Sequence, residues 1–170
     1  LIALFQIACL AGGTWVVYQE RPLALVYSDG RFFSMSAKDF SEAHVDPAVL
    51  DRLPGTWPKR VAMAFPDDPA MESEIRAEAI RSGRPLRTWY EYYVPLTPDR
   101  LDIDAEAIAP AELQRLDRST GHLAEWLAPH GGVLEDYAFF GFASRYHYAF
   151  LGVRRVDGTI VGLLRTQGEL

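Results

Sequence analysis

Residues 1–18 read LIALFQIACLAGGTWVVY and carry no charged side chain, with Gln6 and Thr14 as the clearly polar ones. At a rise of about 1.5 Å per residue, a helix of this length spans roughly 27 Å, which is close to the hydrocarbon thickness of a bilayer. Trp15 and Tyr18 lie at its downstream end, where aromatic rings favour the headgroup layer of a membrane. The stretch therefore predicts a transmembrane helix.

Three other interpretations of this stretch compete with a membrane span. A buried core helix of this length is possible, but such a helix normally keeps a polar face. A cleavable signal peptide needs a basic segment before its apolar run, and none is present here. A lipoprotein signal would use Cys9, yet Gln6 stands where a small aliphatic residue is wanted and the apolar run continues past Cys9. We expect a transmembrane helix over residues 1–18, truncated on its N-terminal side.

The composition of the remaining chain, residues 19–170, is that of a globular domain. The whole chain has 49% apolar and 24% charged residues and a formal net charge of −6. About 150 residues are enough for one domain with a sizeable core. The scattered acids and the lack of a basic stripe argue against nucleic-acid binding. Cys9 is the single cysteine, so residues 19–170 offer no disulfide, thiol nucleophile or thiolate metal site.

β-rich runs are concentrated at the two ends of this domain. The strongest hairpin signal is Asp157-Gly158, which separates two such runs and predicts an antiparallel C-terminal β-hairpin. Alternation within the first of these runs places Tyr148, Phe150 and Gly152 on one face. The predicted strands cover residues 22–27, 31–35, 60–65, 87–94, 138–143, 146–155 and 159–165.

Helix signals fall between the two groups of strands. An aspartate before a proline opens two helices, at Asp46 and within residues 66–69, and Gly83 is expected to end the second. Residues 99–109 are acidic and predict a loop. Strands at both ends with helices between them indicate an α+β domain with a mainly antiparallel sheet. The predicted helices cover residues 46–53 and 69–83, and residues 110–118 and 119–128 are predicted to form one broken helix or two short ones.

The search for catalytic motifs gives no candidate site. The sequence has no nucleophile elbow, phosphate-binding loop, dinucleotide fingerprint or paired-histidine zinc motif. Ser119 and His122 lie three residues apart at a helix start, where Ser119 is better explained as an N-cap. The aromatic side chains of residues 87–94 are explained by core and edge packing at least as well as by a ligand groove. We predict no catalytic or cofactor-binding residue and expect that the protein is not an enzyme.

Metal binding is not predicted either. No two of the four histidines have the spacing of metal ligands. The acid pairs lie beside turn residues, where carboxylates cap backbone amides. The histidines are His44, His122, His130 and His147, and the acid pairs are Asp67-Asp68 and Asp102/Asp104.

The order of the segments carries a resemblance to a known family. An apolar helix ends in the run from Trp15 to Gln19 and is followed at once by Arg21-Pro22, a short strand and the pair Arg31-Phe32. The junction between helix and domain, from Tyr18 to Phe32, is the most specific part of the pattern. Together with the later segments listed below, it resembles the type IV pilin accessory proteins of the TfpX/TfpZ type. Gly30 is a departure, because the family usually has an acid before the Arg-Phe pair. The later pieces are Leu53-Pro54, Pro58-Lys59 before Val61, residues 66–69, residues 92–95 and Asp157-Gly158.

The resemblance implies a protein of the bacterial inner membrane whose domain over residues 19–170 lies in the periplasm. It implies a non-enzymatic, chaperone-like role in type IV pilin maturation and pilus assembly, without a cofactor. The expected partners are a type IV pilin, or another pilus-assembly membrane protein, and the lipid bilayer. Two alternatives remain open: a membrane-anchored extracytoplasmic sensor or ligand-binding domain, and a hydrolase with a scattered site.

One face of the apolar helix is a candidate for the partner contact. Gln6, Cys9 and Gly13 follow at i, i+3 and i+7 on this face, and Ala8 and Gly12 extend its surface of small residues. Lipid supplies no hydrophobic drive for helix pairing, so small residues and a polar side chain supply the contact. We expect this face to hold the apolar helix of a pilin. The alternative is that these small residues are merely tolerated in a lipid-facing anchor.

Overall fold

The structure is a computed structural model that describes residues 2–117 and 121–165. Its α-helices are α1 (Ile2–Glu20), α2 (Ala37–Glu42), α3 (Pro69–Ser82), α4 (Ile103–Glu106), α5 (Pro110–Asp117) and α6 (His122–His130). Its strands are β1 (Pro22–Ser28), β2 (Arg31–Ser36), β3 (Lys59–Met63), β4 (Tyr93–Pro95), β5 (Tyr137–Ala143), β6 (Tyr148–Arg154) and β7 (Ile160–Leu164). The predicted α+β class is confirmed.

The strands form a mixed sheet in the order β4-β3-β1-β2-β5-β6-β7. The pairs β1–β2, β3–β4, β5–β6 and β6–β7 are antiparallel, whereas β1–β3 and β2–β5 are parallel. The prediction of a mainly antiparallel sheet is therefore confirmed only in part. The β1–β2 hairpin forms the centre, and long connections bring β3 and β5 to its two sides in parallel, as crossovers allow.

The predicted C-terminal β-hairpin is present and consists of β6 and β7. Phe150 pairs with Leu164, and the turn contains Gly158 at a φ of 67°. The Asp157 carboxylate accepts a hydrogen bond of 2.9 Å from the Thr159 amide and closes the turn. Strand β6 ends before the Asp-Gly pair and β7 begins after it, and neither strand reaches the pair. The connection is therefore longer than a two-residue hairpin loop.

Two other predictions are wrong in part. Residues 87–94 do not form one strand, because they turn twice as 3-10 helix, at Leu86–Thr88 and Tyr90–Tyr92, before the short strand β4. The Thr88 hydroxyl donates 2.7 Å to the Pro85 carbonyl, a local bond that competes with extended backbone. Residues 99–109 are not a plain loop, since Asp102 accepts a bond from the Ala105 amide and caps α4.

The helix signals are mostly confirmed by the structure. Asp46 and Asp68 each accept a 2.9 Å hydrogen bond from the amide two residues on, as N-caps of a 3-10 helix and of α3. Gly83 ends α3 in the left-handed conformation at a φ of 66°. The predicted cap Ser119 lies outside the described residues, and the helix after it begins at His122.

Three hydrophobic clusters pack on the two faces of the sheet. On the front face, α2 and the following 3-10 helix cover β1–β3, and α5 and α6 cover β5–β7. On the back face, Phe32 and Phe140 pack beneath the segment that contains Leu101. The two front clusters leave the neighbouring strands β2 and β5 partly uncovered between them.

Helix α1 stands apart from these clusters. None of its side chains is buried, and it is long and apolar enough to cross a membrane. Its base contacts the domain, because Glu20 pairs with Lys38 at 3.4 Å and accepts 2.9 Å from the Tyr146 hydroxyl. The Arg21 carbonyl accepts 3.2 Å from the Ala37 amide. In the described structure, α1 is therefore not a core helix of this domain.

Candidate functional site

A cleft of about 770 Å³ lies on the front face, above β2 and β5 and between α2 and α5. This volume lies within the roughly 300–1,000 Å³ that is usual for small-molecule sites. Strand pairing builds its floor, because Arg31 stands opposite Gly141 and Phe33 stands opposite Ala143. Because Gly141 and Ala143 are small, they leave open space above the floor. The Arg31 side chain extends across Gly141 at ordinary contact distance.

The wall formed by α2 is closed by an ion-pair cluster. The Arg145 guanidinium donates 2.8 Å to Asp39 and 2.5 Å to Glu42. The hydrogen bond with Glu42, together with the charge of Asp39, raises the pKa of Arg145 above its usual range. Because Tyr146 contacts Glu20, this end of the cleft adjoins the base of α1.

The opposite end of the cleft is closed by the segment that leads into α5. The Tyr27 hydroxyl donates a hydrogen bond to the Glu106 carboxylate, whose side chain also packs against Gly30. Burial, and then this hydrogen bond, raise the pKa of Tyr27 above its usual range. Ile108 continues the wall through a backbone bridge to Phe139.

The two remaining acids of the lining also have basic partners. Asp29 pairs with Arg76 at 2.7 Å, and the Arg76 hydrogen bond lowers the pKa of Asp29. Glu112 pairs with Arg115 on the same helix, and that hydrogen bond lowers the pKa of Glu112. Each carboxylate of the cleft lining thus has a donor within the described residues.

Two guanidinium groups of the lining differ from this pattern. Within residues 2–117 and 121–165, neither Arg31 nor Arg87 has an ion pair or a side-chain hydrogen bond. The Arg87 guanidinium lies 5.3 Å from the centre of the Phe33 ring, within the range of a cation–π contact. Tyr148 adds further aromatic surface to the cleft, and the buried Phe150 supports the floor beneath it. The site therefore combines unpaired positive charge with aromatic walls.

The backbone of Arg87 is held by Tyr93, an aromatic residue whose expected role is packing. Tyr93 is buried in the front cluster that α2 covers, and its hydroxyl donates a hydrogen bond to the Arg87 carbonyl. Trp89 stacks on Tyr92 with ring centres 6.3 Å apart, outside the cleft lining. Tyr93 thus holds the backbone of Arg87 at the cleft.

The residues predicted to contact a partner lie on α1, away from the cleft. Gln6, Cys9, Gly12 and Gly13 are exposed, and a Cβ added at either glycine would meet nothing within 4 Å. A shallow groove follows another side of the same helix and includes Ala11. The partner contact at these positions stays a prediction.

The histidines are spread through the domain and are not among the residues that line the cleft. His130 stacks on Trp126 with ring centres 4.3 Å apart, and the His147 amide bonds the Ser144 hydroxyl. Among the described residues, no group of three histidine, cysteine or acidic side chains could hold a metal ion.

Comparison with protein-family models, with curated proteins and with solved structures gives no match for this chain. The functional argument therefore depends on the helix and the cleft themselves. Sequence reasoning missed Arg31, Arg87 and Arg145 as site residues. Alternation places Arg31 and Phe33 on one face of a strand, which is a usable signal. The pairing of β2 with β5 joins segments separated by most of the chain and has no local signal.

Proposed function

We propose that this protein is a non-enzymatic, chaperone-like accessory factor anchored in the bacterial inner membrane, with residues 19–170 in the periplasm. Its proposed partner is a type IV pilin, or another pilus-assembly membrane protein, during maturation and pilus assembly. The observation that carries the proposal is α1, which is apolar along its length and has no side chain buried by the domain. A helix of this kind needs another apolar environment, and a bilayer supplies one.

The contacts at the base of α1 support a role in which the domain is held in a defined orientation. Glu20 is fixed by Lys38 and Tyr146, and the Arg21 guanidinium lies 3.6 Å from the centre of the Tyr18 ring. A helix joined to its domain by such contacts orients the domain relative to the bilayer better than a flexible linker does. The domain is then placed beside any helix that pairs with α1.

The proposed contact within the bilayer is the face formed by Gln6, Cys9, Gly12 and Gly13. Exposed glycines allow the backbone of a second helix to approach closely, and Gln6 adds a polar group to the same face. The apolar helix of a pilin that awaits assembly is a partner of matching chemistry. The domain contributes orientation, and no turnover chemistry is required.

Co-purification from detergent-solubilised membranes tests this proposal. The double variant Gly12→Leu/Gly13→Leu adds bulk where nothing lies within 4 Å, so it is expected to insert and fold normally. It should retain less pilin than the wild-type chain does. Ala11→Leu, on the other side of the helix, is the matched control and should retain pilin fully. Equal pilin recovery with all three chains would contradict the helix contact.

The cleft supports a second candidate function, a membrane-anchored extracytoplasmic ligand-binding or sensor domain. Its volume of about 770 Å³ and its unpaired arginines are features of a ligand site. Under this alternative, a small molecule binds the purified chain without any pilin. Ligand binding by a chain that recovers no pilin would therefore favour this alternative over the accessory role.

A further inference from the structure

We propose that the cleft binds a soluble anionic molecule, in which a carboxylate or phosphate is attached to an aromatic body, through the guanidinium groups of Arg31 and Arg87. This inference goes beyond the accessory role and does not require a pilin. It is carried by the two unpaired guanidinium groups of the cleft, by its aromatic surface and by the distance of Arg31 from the base of α1.

Two guanidinium groups of the cleft are available to an incoming anion. The lining carboxylates have donors already, through Arg76, Arg115, Arg145 and Tyr27. The Arg31 guanidinium has no such acceptor in the described part of the chain, and neither does that of Arg87. A guanidinium presents a rigid fork of donors that matches a carboxylate or phosphate in two-point contact. The acceptor that these two groups lack is therefore the acid group of the ligand.

The aromatic surface of the cleft specifies the rest of the ligand. Phe33 lies on the floor beneath Arg87, and Tyr148 is 65% exposed at the strand position opposite Ala143. Phe150, opposite Gly141, is buried and supports the floor from beneath, so the exposed ring surface comes from Phe33 and Tyr148. A flat apolar group can stack on such rings while its acid group reaches the arginines.

The position of Arg31 favours a soluble molecule over a lipid headgroup. β2 runs from Arg31 to Ser36, next to the contact between Ala37 and Arg21 at the base of α1. At about 3.3 Å per residue, Arg31 lies about 17 Å from that base along the strand. The headgroup layer is about 6 Å thick on each side of a bilayer. This distance along β2 is greater than the thickness of the headgroup layer, which favours an acid group from solution at Arg31.

A titration of the full chain in non-ionic detergent micelles with phenyl phosphate tests the proposal by nuclear magnetic resonance. We expect saturable shifts of the Gly141 amide and of the Arg31 and Arg87 side-chain signals. Inorganic phosphate should bind more weakly because it lacks the ring, and benzyl alcohol should not shift the arginine signals because it lacks the acid. The double variant Arg31→Gln/Arg87→Gln should weaken binding at least about tenfold, since charged hydrogen bonds are lost.

Arg81→Gln is the matched control, because Arg81 is an exposed arginine outside the cleft. It should leave the affinity for phenyl phosphate unchanged, and amide spectra of both variants report whether the fold is kept. The absence of saturable shifts, or equal affinities of the wild-type chain and the double variant, would overturn the proposal. Equal affinities for inorganic phosphate and for phenyl phosphate would overturn the proposal that the ligand has an aromatic body. If phosphatidylglycerol nanodiscs alone shift the side-chain signals of Arg31 and Arg87, the proposal that the ligand is a soluble molecule would be overturned.

Discussion

The Tyr27 hydroxyl donates a hydrogen bond to the Glu106 carboxylate and joins the end of β1 to the segment that leads into α5. This contact closes the end of the cleft that is far from α1. Tyr27 is buried and its ring packs edge-on against Phe140, so the hydrogen bond links the core to the cleft wall.

Removing this hydroxyl should destabilise the domain. Tyr27→Phe leaves Glu106 without its donor, and we expect a loss of about 1–2 kcal/mol in the free energy of unfolding. Urea unfolding of the full chain in detergent measures the loss. Tyr148→Phe is the control, since Tyr148 is 65% exposed and should change stability little. Similar losses in both variants would contradict a specific role for the Tyr27 contact.

The stability of the domain should fall at alkaline pH, with Tyr27 as one cause. Its pKa is raised in the folded state, because burial and Glu106 disfavour the phenolate. A raised folded pKa contributes stability that is complete below the unfolded value, about 10, and is lost as the pH rises above it. The stability difference between the wild-type chain and Tyr27→Phe should therefore shrink above about pH 10. Unfolding curves from pH 8 to 11 measure it, and a constant difference would contradict this prediction.

The turn of the C-terminal hairpin should not tolerate a β-branched residue. Gly158 has a φ of 67°, and a Cβ there would lie 2.7 Å from the Cβ of Pro98. We expect Gly158→Val to cost about 1–3 kcal/mol of stability. Gly55→Val is the control for backbone strain alone, because Gly55 also has a positive φ but faces open space. Gly158→Val should lower the melting temperature more, and an unchanged melting temperature would count against the turn assignment.

Alanine substitutions at two paired glycines in the centre of the hairpin should differ in their effect on stability. A Cβ at Gly152 would lie 2.5 Å from the Trp126 ring, whereas a Cβ at its partner Gly162 would make only ordinary contacts of 3.7 Å. Overpacking of this kind costs about 1–3 kcal/mol. Gly152→Ala should therefore destabilise the domain clearly, while Gly162→Ala should be close to neutral. Thermal unfolding of the two variants tests this, and equal effects would refute the close packing of Trp126.

The features that the sequence predicts correctly are those with local physical causes. The helix from Asp68 to Gly83 was predicted from a capping carboxylate and from a glycine that adopts the left-handed conformation. The β6–β7 hairpin was predicted because Asp157 and Gly158 suit the turn between two apolar runs. Both signals act within a few residues, so tertiary packing does not need to be known.

The features that the sequence did not predict depend on contacts between distant segments. The parallel pairing of β2 with β5 places Gly141 beside Arg31 and leaves the cleft open. Nothing in either segment alone indicates this partner. The turns before β4 were missed because side-chain hydrogen bonds of Thr88 and Arg84 outweigh the β propensity of the aromatic residues. The cleft therefore becomes visible only when the sheet order is known.

Cross-linking from Cys9 tests the central proposal, a membrane-anchored partner of a pilin, most directly. Cys9 is the single cysteine and is exposed on α1, so a photoreactive maleimide labels one position of the wild-type chain. In membranes that contain the pilin, illumination should join the two proteins in a cross-link at this position. The variant Cys9→Ala/Ala11→Cys moves the label to another side of the helix and should give much less product. No pilin cross-link from Cys9, or equal yields from both positions, would contradict the account.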